Sequence, residues 1–182
     1  MDHLIKSDLY RYAGDTSLSS FIRSMRIPGF RYTYFLRKCA VYEKYTIPGF
    51  IYRLFYHRYT YKYGFQIPRE TTIGRGFQIS HFGSIVINSK SIIGNNCYVS
   101  HNVTIGQTNR GKMKGYPTLG DRVWVGAGAV IVGSVVIGSN VLIAPNAYVN
   151  FDVPDNSIVM GNPGRIIPNP DATQEYIVNI VE

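Results

Sequence analysis

From Ile67 to Val149 an aliphatic residue returns every six positions: Ile67, Ile73, Ile79, Ile85, Ile93, Val99, Ile105, Leu119, Val125, Ile131, Ile137, Ile143 and Val149. Several are followed directly by glycine (Gly74, Gly94, Gly106, Gly120, Gly126, Gly138), and the fourth residue after them is often small or β-branched (Thr71, Cys97, Val103, Val123, Ala129, Val135, Ala147). A period of six fits neither a 3.6-residue helix nor a two-residue strand alternation. It fits a coil with short flat faces, each burying one aliphatic and one small residue. Three hexads close a triangular coil of about 18 residues, and successive coils stack at roughly 4.7–4.9 Å. The pattern predicts a mainly β protein built on a parallel β-helix.

Two interruptions break the period. Between Ile85 and Ile93 the step is eight, which places two extra residues there unless Val86 or Ile87 takes the core position. Between Ile105 and Leu119 the step is fourteen, so eight residues leave the coil in a loop at 107–118, which carries Arg110, Lys112 and Lys114 and no acid. Irregular insertions in a solenoid often form its binding surface.

Residues 1–66 lack the hexad and hold 11 of the 15 tyrosines. Ser17 or Thr16 is placed to cap a helix running to Met25. The similar fragments Ile27-Pro28-Gly29-Phe30 and Ile47-Pro48-Gly49-Phe50 put proline where helices begin, predicting helices from Pro28 to about Tyr45 and from Pro48 to about Tyr63. The expected organisation is an α-helical segment at 1–66, a β-helix at 67–153, and a return segment and tail at 154–182. A helical cap on the end of the solenoid is the expected role of the first segment, with contact to a membrane surface as the alternative.

The net charge of +8 is uneven: 1–66 holds 11 Lys or Arg against 4 Asp or Glu, and 67–182 holds 8 against 7. No nucleic-acid motif or long basic run accompanies the excess, so nucleic acid is not an expected partner. The chain start lacks an apolar signal core and no 18-residue apolar run occurs, which points to a cytoplasmic protein. Cys39 and Cys97 make no disulfide framework, and Cys97 falls on a small interior position.

The repeat contains two histidines, His81 and His101, each third in its hexad and 20 residues apart. If the two extra residues bulge outward, both imidazoles project from one edge in adjacent coils. A neutral imidazole there suits a general base acting on an acceptor hydroxyl. Zinc binding of the carbonic-anhydrase kind needs a third histidine that the repeat lacks, so no metal is expected. A non-catalytic scaffold is a further alternative. The basic loop and Arg165 suit phosphates, and Val125-Gly126-Ala127-Gly128-Ala129 offers a wall almost free of side chains.

The stretch from Thr72 to Arg165 resembles the hexapeptide acyltransferases, particularly serine O-acetyltransferase and its relatives in capsule and exopolysaccharide synthesis. The matching pieces are Ile73-Gly74-Arg75-Gly76, His81-Phe82-Gly83-Ser84-Ile85-Val86-Ile87, Val103-Thr104-Ile105-Gly106, Val125-Gly126-Ala127-Gly128-Ala129 and Gly161-Asn162-Pro163-Gly164-Arg165. The resemblance implies a left-handed parallel β-helix, a homotrimer or dimer of trimers, and acetyl-CoA as co-substrate in a cleft between subunits. It places the catalytic base on His81, with His101 and Tyr116 as possible supporting residues. Gly106, Gln107, Thr108, Ala127 and Ala129 fall on positions lining the CoA arm, and Arg110, Lys112 and Arg165 are candidates for its phosphates. Where the serine enzyme has an Asp-His pair this chain has Ser80-His81, where it has Arg-His-Pro this chain has Gly115-Tyr116-Pro117, and the aspartate that orients the base falls on Gln66. Because a zwitterion needs a counter-charge at each end, these departures favour a saccharide acceptor of a surface polysaccharide over L-serine. Phe82 and Tyr116 then offer stacking surfaces beside Ser80, whereas Asp8 or Asp15 is left to supply a negative charge should the acceptor be serine.

Overall fold

The computed structural model describes residues 2–182. Among these, the repeat winds into about five coils. The first coil contains β1 (Phe65–Gln66), β2 (Thr72–Ile73) and β3 (Gln78–Ile79), and the second β4 (Ile85–Ile87), β5 (Ile92–Ile93) and β6 (Tyr98–Val99). The third contains β7 (Thr104–Gly106), β8 (Thr118–Leu119) and β9 (Val123–Val125), and the fourth β10 (Val130–Val132), β11 (Val136–Ile137) and β12 (Val141–Ile143). The fifth runs from β13 (Tyr148–Val149) to β14 (Ser157–Met160), and β15 (Arg165–Pro168) folds back antiparallel on β14. Every third strand pairs in parallel, which makes three faces: β1-β4-β7-β10-β13, β2-β5-β8-β11 and β3-β6-β9-β12-β14.

All thirteen aliphatic hexad residues are buried, and so are the small residues between them. Cys97 is one of these, and burial pushes its thiol up to about 12. The first interruption follows the alternative in which Ile87 takes the core position. Ile87, not Ile85, stands in register with Ile105, while Phe65 pairs with Ile85. The two extra residues therefore lie between Ile79 and Ile87, at His81 to Ser84. Ile85 and Ile87 are both buried, because β4 points both ends of its three-residue face inward, and the aliphatic count alone does not choose between them.

The four helices among the described residues close the open end of the solenoid. They are α1 (His3–Ala13), α2 (Leu18–Ser24), α3 (Pro28–Val41) and α4 (Ile47–Tyr63). Ser17 caps α2 by accepting from the Ser20 amide, and α3 ends at Val41, four residues before the expected Tyr45. The first coil has no strand below it, so its backbone groups need other partners. Polar side chains supply them. The Gly76 amide donates to Ser7 Oγ at 3.1 Å and the Phe77 amide to Asp8 Oδ1 at 2.9 Å. Arg11 Nε donates to the Gly76 carbonyl at 3.1 Å. Arg37 donates to the carbonyls of Ile73 and Gly74 at 2.7 and 2.6 Å while pairing with Asp8 at 3.0 Å. Tyr32 and Tyr56 donate to the Ile67 carbonyl at 3.1 and 2.8 Å. Burial raises the Asp8 carboxyl against the pull of Arg37.

Candidate active site

The third face ends at a corner whose geometry follows from register. Ile79, Val99, Val125, Ile143 and Val159 stand one above another in β3, β6, β9, β12 and β14. Two residues beyond each lie His81, His101, Ala127, Pro145 and Gly161, so one corner column carries two imidazoles and then only small or rigid residues. The His81 and His101 rings meet edge to face with centroids 5.6 Å apart. Ser100 Oγ lies 3.3 Å from His101 Nδ1, and the Gly128 amide donates to the His101 carbonyl at 3.0 Å. His81 and Phe82 are exposed and His101 is half-buried.

The two extra residues make this corner. His81-Phe82-Gly83-Ser84 swings outward as a bulge tied to the end of α4: the Gly83 amide donates to the Tyr63 carbonyl and the Ile85 amide to the Gly64 carbonyl, both at 3.0 Å. Gly83 has φ +138°, and a Cβ on it would stand 3.2 Å from His101 Cβ, so only glycine lets the bulge pass over the second imidazole unstrained. Tyr12 of α1 fixes the other side, its hydroxyl accepting from the Ile79 amide and donating to the Ile79 carbonyl, both at 2.8 Å. Asp15 follows three residues later in the α1–α2 turn, an exposed carboxylate held low by bonds from the Ser17 side chain and amide and from the Ser20 hydroxyl.

Several candidate residues sit elsewhere or are already engaged. Asp8 is buried in its ion pair with Arg37 and is not free to meet an acceptor. The Ser80 hydroxyl accepts from Tyr98 of the next coil. Ala129 is wholly buried; its amide donates to Gly126 and its carbonyl accepts from Thr104, so it faces the core, whereas Ala127 stands on the corner column. The basic loop leaves from the opposite end of the first face, after Gly106. It folds as a small antiparallel excursion in which Thr108 and Gly115 exchange both backbone bonds at 3.1 and 3.0 Å, and Met113 accepts from the Ser134 amide. Gln107, Arg110, Lys112 and Lys114 are exposed on it. Tyr116 is half-buried at its base with Lys90 Nζ 5.1 Å from the ring centre.

The loop and the histidines therefore occupy different corners of one chain, separated by one face on the order of 15–20 Å wide at about 3.3 Å per residue. Arg165 is exposed beside the turn that follows Gly161, four rungs above His81, roughly 19 Å away at the strand spacing. A single chain does not bring Arg110, Lys112 and Arg165 to His81, nor Tyr116 to Phe82. Tyr12, Gly83 and Tyr98 were not among the candidates. Tyr98 had a usable signal, since a 20-residue offset pairs it with Gln78, two residues before Ser80; Tyr12 had none, because nothing in the spacing of a helix shows which strand it caps.

Residues 116–150 match the family model described as bacterial transferase hexapeptide (six repeats). A serine acetyltransferase of Helicobacter pylori is 40% identical over 104 residues, which are 57% of this chain and 61% of that relative. The chain thus spans less than two thirds of the relative's length. Among solved structures, a Neisseria gonorrhoeae serine acetyltransferase in complex with serine aligns with 90% of this chain and 67% of its own at a TM-score of 0.71 and 26% identity. A Brucella abortus serine acetyltransferase in complex with coenzyme A aligns with 92% and 67% at 0.75 and 25%. These likenesses overturn the expectation of a saccharide acceptor. That expectation rested on charges absent from Gln66, Ser80 and Tyr116 and on two stacking aromatics, and the two aromatics stand at separate corners. The chain is a hexapeptide-repeat β-helix that resembles serine O-acetyltransferase in both sequence and fold.

Proposed function

We propose that the protein transfers the acetyl group of acetyl-CoA to the hydroxyl of L-serine, with His81 as general base. The observation that carries this reading is the exposed imidazole on a corner column of otherwise small residues, in a chain aligned over nine tenths of its length with serine acetyltransferases solved with serine and with coenzyme A. The neutral imidazole takes the hydroxyl proton as the serine oxygen attacks the thioester carbonyl. The tetrahedral centre then collapses, the C–S bond breaks, and the departing CoA sulfur takes the proton from the His81 imidazolium, which restores the neutral base. No covalent enzyme intermediate is needed.

Asp15 is the acidic group we assign to the serine ammonium, since Tyr12 anchors the same stretch of chain at Ile79, two residues before His81. Column residues such as Ala127 leave room for the extended arm of CoA to run close to backbone. The cations for its phosphates, and for the serine carboxylate, lie in the 107–118 loop at the other corner. A second copy offering that loop to the His81 corner completes the site, so we propose a homotrimer in which donor and acceptor bind between subunits.

Incubating the protein with acetyl-CoA and L-serine and following free thiol gives the test. Serine-dependent release is expected, and His81→Ala is expected to lose at least about 100-fold in turnover while still binding CoA in a calorimetric titration. Release that is independent of serine, or an active His81→Ala, overturns the reading.

A further inference from the structure

The face of α4 turned away from the cap is apolar and largely uncovered, with Phe55 at its edge stacked on Phe35 of α3 at 5.1 Å. Ile47 is 80% exposed, Phe50 67%, Leu54 58%, Ile51 44% and Phe55 37%. At steps of three and four these five side chains form one stripe along the helix. The opposite face buries Gly49, Tyr56 and Tyr63, so the stripe is held rigidly outward. Tyr45 and Tyr61 stand at its two ends, among the most exposed aromatics of the molecule. Contiguous apolar surface of this kind marks a contact site.

Charge decides between the occupants. Residues 44–63 carry Lys44, Arg53, Arg58 and Lys62 and no acid. Beside the helix lies a cavity of about 560 Å³ whose lining includes Lys44, Arg53, His57 and Arg69. Glu70 also lines it and pairs with Arg69 at 2.7 Å. Arg53 Nη1 is bound to the carbonyls of Tyr42 and Gly49, while its Nε has no partner. A two-fold contact of this face with its own copy would set these cations against their equivalents. An anionic phospholipid surface offers hydrocarbon to the stripe, phosphate to the cations, and the interfacial layer that tyrosine prefers.

We propose that α4 is a membrane-docking face, lying in the plane of an anionic bilayer with Ile47, Phe50, Ile51, Leu54 and Phe55 in the acyl boundary. Lys44, Arg58 and Lys62 meet the phosphates around the stripe, and the cavity at Arg53 receives a headgroup. No helix among the described residues is long and apolar enough to cross a membrane, so the contact is with one leaflet. This inference is independent of the acetyl-transfer reading.

Co-sedimentation of the full chain with phosphatidylcholine vesicles, with and without about 30% phosphatidylserine, tests it. Binding to the anionic vesicles is expected, weaker by at least about tenfold for the zwitterionic ones and in high salt. Phe50→Ser with Leu54→Ser, and separately Arg58→Glu with Lys62→Glu, should each weaken binding by about tenfold. Both pairs are exposed, and circular dichroism checks that the variants fold. The proposal is overturned if anionic vesicles do not bind the protein, if the variants bind unchanged, or if the serine substitutions instead reduce the oligomer mass in solution, which would assign the stripe to a second copy.

Discussion

Asp8, Arg11 and Arg37 show how differently buried charges behave a few ångströms apart. Arg37 joins Asp8 through Nε and Nη2, and its bonds from Nη1 and Nη2 to the carbonyls of Ile73 and Gly74 stand where a strand below would have bonded. Arg11 is 1% exposed and uses only Nε; its Nη1 and Nη2 have no partners, and burial lowers its affinity for the proton. Replacing Arg37 by Met strands Asp8 and should cost about 3–5 kcal/mol, whereas Arg11→Met removes a buried cation whose one bond is to the Gly76 carbonyl and should cost less, about 1 kcal/mol. Denaturant melts of the two variants check this, and equal losses would count against it. The same contrast explains what a reader of the sequence misses. The buried set of α1 is Ile5, Ser7, Asp8, Leu9 and Arg11. A search for apolar periodicity passes over a helix whose buried face is largely polar, although Asp2 and Gly14 mark its two ends as caps.

At the scale of the element, the corner holding His81 depends on one glycine and one insertion. The hexad made the coils legible because a period of six has one geometric solution, and all thirteen aliphatic positions point inward. The sequence leaves the place of the two-residue excess between two alternatives, since Ile85 and Ile87 are both suited to the core. Register settles it and moves the excess onto the histidine. Gly83→Ala should therefore act locally. A side chain at φ +138° and 3.2 Å from His101 Cβ should cost on the order of 1–2 kcal/mol, and it should lower serine-dependent thiol release more than CoA binding. Unaltered turnover in a destabilised variant would show that the bulge does not set the imidazole positions. The length and charge of the basic loop are legible in the sequence, and so is its corner, since it leaves after Gly106, one hexad and therefore one face beyond His101.

For the molecule as a whole, both ends of the stack are finished differently. The far end turns back on itself, β15 lying antiparallel on β14. At the near end the partners are hydroxyls, a carboxylate and guanidinium groups presented by helices, so the first coil meets side chains where a further coil would offer backbone. Each parallel coil is otherwise a template for the next, because all three faces expose a ladder at the same spacing. The helical segment thus acts as a chain terminator as well as a cover. A chain beginning at residue 64 should present three unpaired ladders at its one open end and associate through that end, visible as a concentration-dependent rise in mass by light scattering. The full-length chain should remain a particle of fixed mass at the same concentration, which makes solubility a property of the tyrosines, aspartate and arginines on that one end.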